Sequence, residues 1–323
     1  MEIKNKQIPD YKKGDAVNDL FAVRFKKPIR QTKNGKYFFE IKFQDAKGET
    51  MFKYWGRDDR EKIQGIYDSI HADDVVKVIK GVVGEFNNTI DISINEGEGE
   101  INVLQPGEYD VRGFVDISNR NPDEMMRELR SMFDSISDVD LKAVVEAFFE
   151  DNDFVEKFKT SPAAMYKHHG CVSGLLEHTL NVANICNDIS KHHPKLNKNL
   201  LLVGAFIHDI GKIDEFNTTT QIKVSDKGNL LGHISLGIQM LTRKLDSLDI
   251  SDSTKDKLLH MLVSHHGKLE FGSPKMPSFP EALLLHKADE LDAFVTQMIE
   301  YKENANTEDS FVYSKDFGNI YLK

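Results

Sequence analysis

The chain has 323 residues, 40% of them hydrophobic, which is enough to bury a full core and to form two domains. Its 42 basic and 52 acidic residues give a formal net charge of −10, which argues against a protein that binds nucleic acid through general basicity alone. With only two cysteines, Cys171 and Cys186, a disulfide framework and a thiolate zinc finger are both disfavoured.

The amino terminus lacks the apolar core of a signal peptide, and no stretch approaches 18 consecutive apolar residues. We therefore expect a cytoplasmic protein. The acidity is uneven, because residues 1–64 carry 16 basic against 10 acidic side chains.

Residues 15–104 have the alternating pattern that is typical of β-strands. Tyr37, Phe39, Ile41 and Phe43 share one face of such a strand. The predicted strands include residues 36–43, 50–55, 74–83 and 89–94, with a turn at Asn87-Asn88. About five strands, with a helix at 57–71 between the third and fourth, predict a Greek-key barrel of the OB type over residues 1–110.

Residues 111–122 contain Gly113 and Pro122 and are interpreted as a linker. From residue 123 apolar residues recur at three- and four-residue steps, which predicts an all-α domain over 123–302. Further helices are expected near residues 138–158, 173–192, 197–211, 232–247, 251–265 and 279–300. Residues 303–323 are treated as a tail. The predicted barrel and the predicted helical domain together give the fold class, an α+β multidomain protein.

The adjacent pair His208-Asp209 lies in an otherwise apolar segment that is predicted to be helical. Burying an unpaired carboxylate costs several kcal/mol, so such a group is normally paired or bound to a metal. A hydrogen-bonded core pair is the alternative if this segment is considered by itself.

Eleven of the 12 histidines fall between residues 168 and 286. Their order along the chain, together with two aspartates, suggests one site. The members of this set are His178, His208, Asp209, His233, His265 and Asp289. Gaps of 24 to 32 residues leave room for one helix and a return, so the side chains can converge inside a bundle.

Imidazole and carboxylate ligands without thiolate suit a divalent metal, with manganese favoured and cobalt, iron, nickel, zinc or magnesium as alternatives. Such an ion makes hydroxide available near neutral pH. With two ions, Asp209 is suited to bridge them.

His233 is alternatively a polar residue at a helix start. Of the neighbours His265 and His266, which point about 100° apart, only one is expected to bind metal.

The ordered set resembles the HD-domain metal-dependent phosphohydrolases, particularly their two-metal members. The resemblance implies that His178, His208, Asp209 and Asp289 surround a first metal. It also implies that His233 and His265 complete a second, and that Lys212 faces a substrate phosphate. A helix-end cation is the alternative interpretation of Lys212, and the neighbouring pair His208-Asp209 favours the phosphate role.

The whole chain is closer still to the YhaM-type 3′→5′ exoribonucleases, which carry an OB-type domain before the HD domain. The matching segments are Thr32-Lys33-Asn34-Gly35-Lys36, Asp45-Ala46-Lys47-Gly48, Trp55, Ser161-Pro162-Ala163-Ala164, His168-His169 and Gly174-Leu175-Leu176-Glu177-His178-Thr179. The linker is less rich in proline than the family pattern.

Three further residues of the helical region, His169, Glu177 and His266, are candidates for orienting a metal ligand or touching substrate. In the barrel, Phe38 alternates to the face opposite Phe39 and is a candidate for stacking on unpaired bases. The proposed nucleic-acid contacts are Lys36, Phe38, Lys42, Trp55 and Arg57. An exposed aromatic among solvated charges explains these residues equally well.

The sequence therefore predicts a metal-dependent phosphodiesterase that removes nucleotides from the 3′ end of single-stranded RNA, with DNA as a further substrate. The 3′→5′ direction rests on the resemblance alone. Three alternatives remain: a phosphohydrolase of mononucleotides or cyclic nucleotides, a non-catalytic nucleic-acid-binding protein with a structural metal, and a di-iron oxygenase. Monomeric and homo-oligomeric states are both compatible with the sequence.

Overall fold

The computed structural model describes residues 1–86, 89–165, 169–303, 305 and 307–323. The chain divides into two compact units. The first comprises Met1–Asp116 together with Thr219–Gln221, and the second comprises Ile117–Thr218 and Ile222–Lys323. The chain thus passes from one unit to the other within the segment predicted to be a linker.

The first unit is built on a sheet of seven strands. These are β1 (Ala16–Lys26), β2 (Arg30–Gln31), β3 (Tyr37–Gln44), β4 (Glu49–Trp55), β5 (Val75–Phe86), β6 (Thr89–Asn95) and β7 (Glu100–Leu104). The five long strands follow the order β1-β3-β4-β6-β5, and β5 pairs again with β1. The sheet thereby closes into the predicted five-stranded barrel, with β4 and β6 as its parallel pair.

The barrel core follows from the alternation of β3, where Phe39, Ile41 and Phe43 are fully buried. Helix α1 (Arg60–Asp68) lies between β4 and β5 and so between the third and fourth long strands, as predicted. Asp59 begins this helix by accepting a hydrogen bond from the Lys62 backbone N–H. The predicted Asn87-Asn88 turn lies outside the described residues.

The second unit is largely helical. Its helices are α2 (Pro122–Asp134), α3 (Val139–Phe149), α4 (Asn152–Thr160), α5 (Gly174–His192), α6 (Lys198–Ile207), α7 (Lys212–Glu215), α8 (Asp226–Leu245), α9 (Asp252–Ser264) and α10 (Pro280–Glu303). Two short strands, β8 (Phe216–Thr218) and β9 (Ile222–Val224), form a hairpin between α7 and α8. Within the described part of the chain, no helix is long and apolar enough to cross a membrane.

Helix α6 occupies the centre of the helical core, and every residue from Leu200 to Ile207 is buried. The Phe206 ring contacts the rings of Phe133, Phe148 and Phe158 at centroid distances of 5.3, 5.5 and 5.5 Å. Because aromatic clusters of this kind bury large areas, α6 is a firm base for the residues that follow it.

Three helix boundaries differ from the predictions. The helix expected at 138–158 is divided into α3 and α4, because Asp151 begins a new helix by accepting from the Phe154 N–H. The helix expected at 197–211 ends at Ile207. Helix α8 begins six residues before Gly232 and is broken there, since Gly232 has φ 69° and ψ 158°.

The carboxyl-terminal segment forms a hairpin of β10 (Phe311–Ser314) and β11 (Gly318–Tyr321). Gln297 of α10 donates a hydrogen bond to Asp316 in the turn of this hairpin, and the Phe294 and Phe317 rings meet at 5.7 Å. The hairpin therefore packs on α10.

Candidate metal centre

The pair His208-Asp209 lies in a tight turn after α6 and not inside the helix as predicted. Backbone N–H groups of Ile210, Lys212 and Ile213 donate to the carbonyls three residues earlier. This 3₁₀-type pattern ends the α-helix while the chain keeps turning. His208 and Asp209 are both buried in this turn, with 1% and 2% of their surface accessible to solvent.

Gly211 allows this turn to approach α8 closely. A Cβ atom at this position would lie 1.9 Å from the His233 carbonyl oxygen and 2.6 Å from the Gly237 nitrogen. Only a residue without a side chain permits this approach, which brings His233 up to Asp209.

Four predicted residues meet around one point. The Nε2 atom of His178, on α5, lies 3.2 Å from His208 Nε2, 3.5 Å from Asp209 Oδ2 and 3.2 Å from Asp289 Oδ1. Asp289 is on α10, so two helices and the turn that holds His208 and Asp209 supply the group. The Nδ1 atom of His208 is occupied by the Ala205 carbonyl at 2.7 Å, which leaves its Nε2 directed at the group.

Asp292 orients His178 and was not predicted from the sequence. Its Oδ2 atom lies 2.7 Å from His178 Nδ1 and 3.0 Å from His169 Nε2, and its Oδ1 accepts from the Asn181 side chain at 3.0 Å. A metal-binding histidine commonly donates its other ring N–H to a carboxylate in this way. Asp292 lies three residues after Asp289 on the same face of α10, and this spacing was the signal in the sequence that could have identified it.

A second point lies on the other side of Asp209. The Oδ1 atom of this aspartate is 3.7 Å from His233 Nε2 and 3.6 Å from His265 Nε2. All three atoms are buried, and none has a hydrogen-bond partner among the described residues. Unsatisfied buried polar atoms are costly, so three that face one another indicate a position for a cation.

The other ring nitrogens around this second point are occupied. His265 Nδ1 lies 2.6 Å from the Leu262 carbonyl, and His233 Nδ1 lies 3.3 Å from Glu215 Oε1. Glu215 also accepts from the His233 backbone N–H at 3.0 Å, so it fixes both the ring and the start of the second half of α8. This role of Glu215 was not predicted from the sequence.

The charges of the centre favour ionised carboxylates. Burial alone would raise the pKa of Asp209, but Lys212 and His208 hold it well below its usual range. Burial likewise opposes ionisation of Asp289, whose pKa is lowered by His178 and the neighbouring histidines. Lys212 Nζ lies 2.7 Å from Asp209 Oδ2. Burial would lower the pKa of this lysine, but Asp209 raises it.

The remaining candidates of the helical unit lie at the edge of this centre. His169 reaches Asp292 and, through Nδ1, approaches Glu177 at 3.7 Å. The His266 ring lies 4.2 Å from the His265 ring and 5.1 Å from the His233 ring, centroid to centroid. His168 lies outside the described residues.

The barrel residues are only partly brought together. The Phe38 and Trp55 rings stack at 4.9 Å across β3 and β4. Lys36, Trp55 and Arg57 line a cavity of about 420 Å³. Lys42 does not line this cavity and instead pairs with Glu49 at 3.2 Å. The cavity also contains Glu96 and Glu98, so its wall is not uniformly basic.

Comparisons with known proteins agree with these features. Residues 175–293 match the model of the HD domain family. A protein of Listeria welshimeri named 3′-5′ exoribonuclease YhaM is 29% identical over 301 residues, covering 91% of this chain and 90% of that protein. A protein of Listeria innocua with the same name is 29% identical over 298 residues, with the same coverage of both chains. The resemblance of the whole chain to this group is confirmed.

Two solved structures align with the chain at low scores. The OB domain of Ta0387 from Thermoplasma acidophilum has a TM-score of 0.25 and 13% identity, covering 36% of this chain and 92% of that one. A replication protein A heterotrimer bound to single-stranded DNA has a TM-score of 0.26 and 17% identity, covering 31% and 25%. The assignment of an OB-type barrel rests on its strand order.

Proposed function

We propose that this protein is a metal-dependent phosphodiesterase that removes nucleotides from the 3′ end of single-stranded RNA. The proposal rests mainly on three buried atoms of Asp209, His233 and His265 that have no hydrogen-bond partner among the described residues. They lie next to the point that His178, His208 and Asp289 share with Asp209. Similarity to proteins named 3′-5′ exoribonuclease supplies the substrate and the direction.

The donor set fits two divalent ions that share Asp209. His178, His208, Asp209 and Asp289 would hold the first, and Asp209, His233 and His265 would hold the second. Bound ions supply a nucleophilic hydroxide near neutral pH and draw charge from the scissile phosphate. Imidazole and carboxylate donors without thiolate suit manganese, which we propose as the working metal.

The protein's own groups prepare the phosphate site. Lys212 keeps its positive charge beside Asp209, where it can donate a hydrogen bond to a phosphate oxygen as negative charge develops. Asp292 holds the His178 ring, and Glu215 holds the His233 ring. We propose that His169 and Glu177 act through Asp292 and not by touching substrate.

In the barrel, we propose that the stacked Phe38 and Trp55 rings support unpaired bases, while Lys36 and Arg57 contact the backbone. Every base has a π-face, so such stacking is tolerant of sequence. Lys42, which is paired with Glu49, has the weakest support among these candidates.

The test uses 5′-labelled single-stranded RNA with the metal-stripped protein and added Mn²⁺. We expect a ladder of products shortened from the 3′ end, which disappears with chelator and returns with Mn²⁺. Comparing this RNA with a DNA oligonucleotide of the same sequence measures the preference of the enzyme for ribose or deoxyribose. Hydrolysis of mononucleotide or cyclic esters without any shortening of the labelled strand would contradict the proposal.

A further inference from the structure

Large apolar side chains are exposed in the segments next to two histidines of the candidate centre, His233 and His265. Leu269 and Phe271 are 70% and 54% accessible, in a short 3₁₀ turn that begins three residues after His266. Leu230 and Leu231, 82% and 45% accessible, immediately precede the break at Gly232 and His233. Of these two segments, the one with Phe271 also has a hydrogen bond to a histidine at the edge of the centre.

Phe271 is tied to the centre through its backbone. Its carbonyl oxygen lies 2.8 Å from His266 Nδ1, and the His266 ring contacts the rings of both His233 and His265. The backbone of Phe271 is therefore one side chain away from the proposed second metal position. Its own side chain takes no part in this hydrogen bond, so it can be changed without removing the link.

A cation accompanies the exposed ring. Lys268 Nζ lies 5.1 Å from the centroid of the Phe271 ring. Lys268 also approaches Glu270 at 3.4 Å, but both side chains are more than half exposed. An ion pair of this kind contributes little, so it leaves the lysine available to a phosphate group.

We propose that Phe271 and Lys268 form a subsite for the nucleotide at the end of the strand, with the base on the Phe271 ring and a phosphate on Lys268. An aromatic ring and an adjacent cation match the two parts of a nucleotide, a flat base and an anionic backbone. This inference rests on the proposed function, because it needs a nucleic-acid strand at the metal centre.

The test compares Phe271→Ala, Phe271→Leu and Phe271→Trp with wild type on two substrates. These are 5′-labelled single-stranded RNA and the small diester bis(p-nitrophenyl) phosphate, which has no strand to bind. With Phe271→Ala and Phe271→Leu we expect KM for RNA to rise about 5- to 150-fold, the range for one lost base stack. Phe271→Trp should keep KM near the wild-type value.

We expect hydrolysis of the small diester to stay within about twofold of wild type in all three variants, since kcat depends on the metal centre. Phe311→Ala removes a ring of similar exposure, 55%, from the carboxyl-terminal hairpin. It should change neither KM for RNA nor the hydrolysis of the small diester. Lys268→Gln should reduce the salt dependence of KM for RNA, and Lys302→Gln, on α10, should not.

An unchanged KM for RNA in Phe271→Ala, or a wild-type KM in Phe271→Leu, would overturn the subsite. Equal losses on both substrates would also overturn it, because the ring would then support the centre itself. If the wild-type protein hydrolyses the small diester but never shortens RNA, the proposed function itself is wrong. This outcome differs from failure of the subsite alone, in which the wild-type protein shortens RNA and the Phe271 variants do so with an unchanged KM. Metal content and melting temperature, measured for every variant, separate these results from misfolding.

Discussion

His178 and Asp292 are joined through the ring nitrogen that faces away from the candidate metal centre, with Nδ1 2.7 Å from Oδ2. A carboxylate can only accept, so the proton of this contact lies on Nδ1. In the neutral ring, Nε2 then keeps its lone pair for the point it shares with His208 and Asp289. Asp292 therefore selects the form of His178 that can bind metal.

Replacing Asp292 with asparagine should weaken metal binding about 10- to 100-fold, the usual effect of losing a partner that orients a ligand. Mn²⁺ titration calorimetry measures the change directly. Asp188→Asn provides a control, because Asp188 lies on α5 like His178 but its side chain is 70% exposed. Equal affinity in Asp292→Asn and wild type would contradict this role.

Asp209 contacts both groups of donors, so its loss should be the least tolerated. In Asp209→Ala we expect metal affinity to fall by more than the ~10–100-fold typical of an orienting residue, with activity lost in parallel. Metal content by mass spectrometry and RNA shortening provide the two readouts. Full metal content with two ions per chain in this variant would rule out a shared carboxylate.

Lys212 is expected to act on the substrate and not on the metal. Lys212→Gln should lower kcat about 10²- to 10³-fold, as when a donor to a developing oxyanion is removed, while metal content stays at the wild-type level. Lys227→Gln is a suitable control, since this lysine is 70% exposed and pairs only loosely with Asp214 at 3.7 Å. A fall in metal content with unchanged kcat for the loaded enzyme would argue for a structural role.

Gly211 should not accept a side chain. Gly211→Ala would force the turn away from α8, at a cost of about 1–3 kcal/mol or more in the free energy of unfolding, and should separate His233 from Asp209. Gly65→Ala is the matched control, because a Cβ there meets nothing within 4 Å and alanine favours helix α1 by about 0.5–1 kcal/mol. Denaturant unfolding of both variants measures the contrast.

The contacts of Asp151 predict that the free energy of unfolding depends on pH. The Lys244 side chain and the Phe154 N–H hold the pKa of its carboxyl below the usual range. A carboxyl with a lower pKa in the folded state stabilises the protein above its unfolded pKa, and this contribution is lost as the pH falls through the folded value. The side chain is 40% exposed, so solvent screens the effect.

Asp151→Asn keeps a good helix cap but removes the charge. We expect wild type to be more stable than Asp151→Asn at pH 7 by at most ~1 kcal/mol, with the difference vanishing in acid. Asp151→Ala should lose a further ~0.5–2 kcal/mol with the cap, at every pH. Urea unfolding at pH 7 and in acid measures both, and a difference that grows in acid would contradict the assignment.

Much of the fold was predictable because it depends on local periodicity. The alternation of β3 and the apolar repeats of α5 and α10 are properties of short segments, and they predicted the barrel and the helical region correctly. Boundaries were less predictable. Helix α6 ends at Ile207 within a segment whose apolar repeat continues to Ile210, and the close approach of Gly211 to α8 is a contact between residues distant in the chain.

The metal-ligating candidates could be chosen from the sequence because buried histidine and aspartate in apolar helices are costly unless they share a partner. The residues that orient the ligands were harder to choose, and only the spacing of Asp292 from Asp289 gave a signal. Glu215, Asn181 and Asp292 are ordinary polar residues on helices, and their roles arise only from contacts 18, 111 and 114 residues away along the chain.

The amino-acid sequence by itself determined which kinds of side chain are available to bind a metal. Their residue types, their order and the apolar faces around them are all properties of the sequence. Tertiary structure alone decided the geometry. It turned both His178 and His208 with Nε2 toward one point, brought His233 to the second oxygen of Asp209, and placed Phe271 beside His266. Convergence of this kind depends on packing between distant helices, where a close approach such as that at Gly211 sets distances that no local pattern encodes.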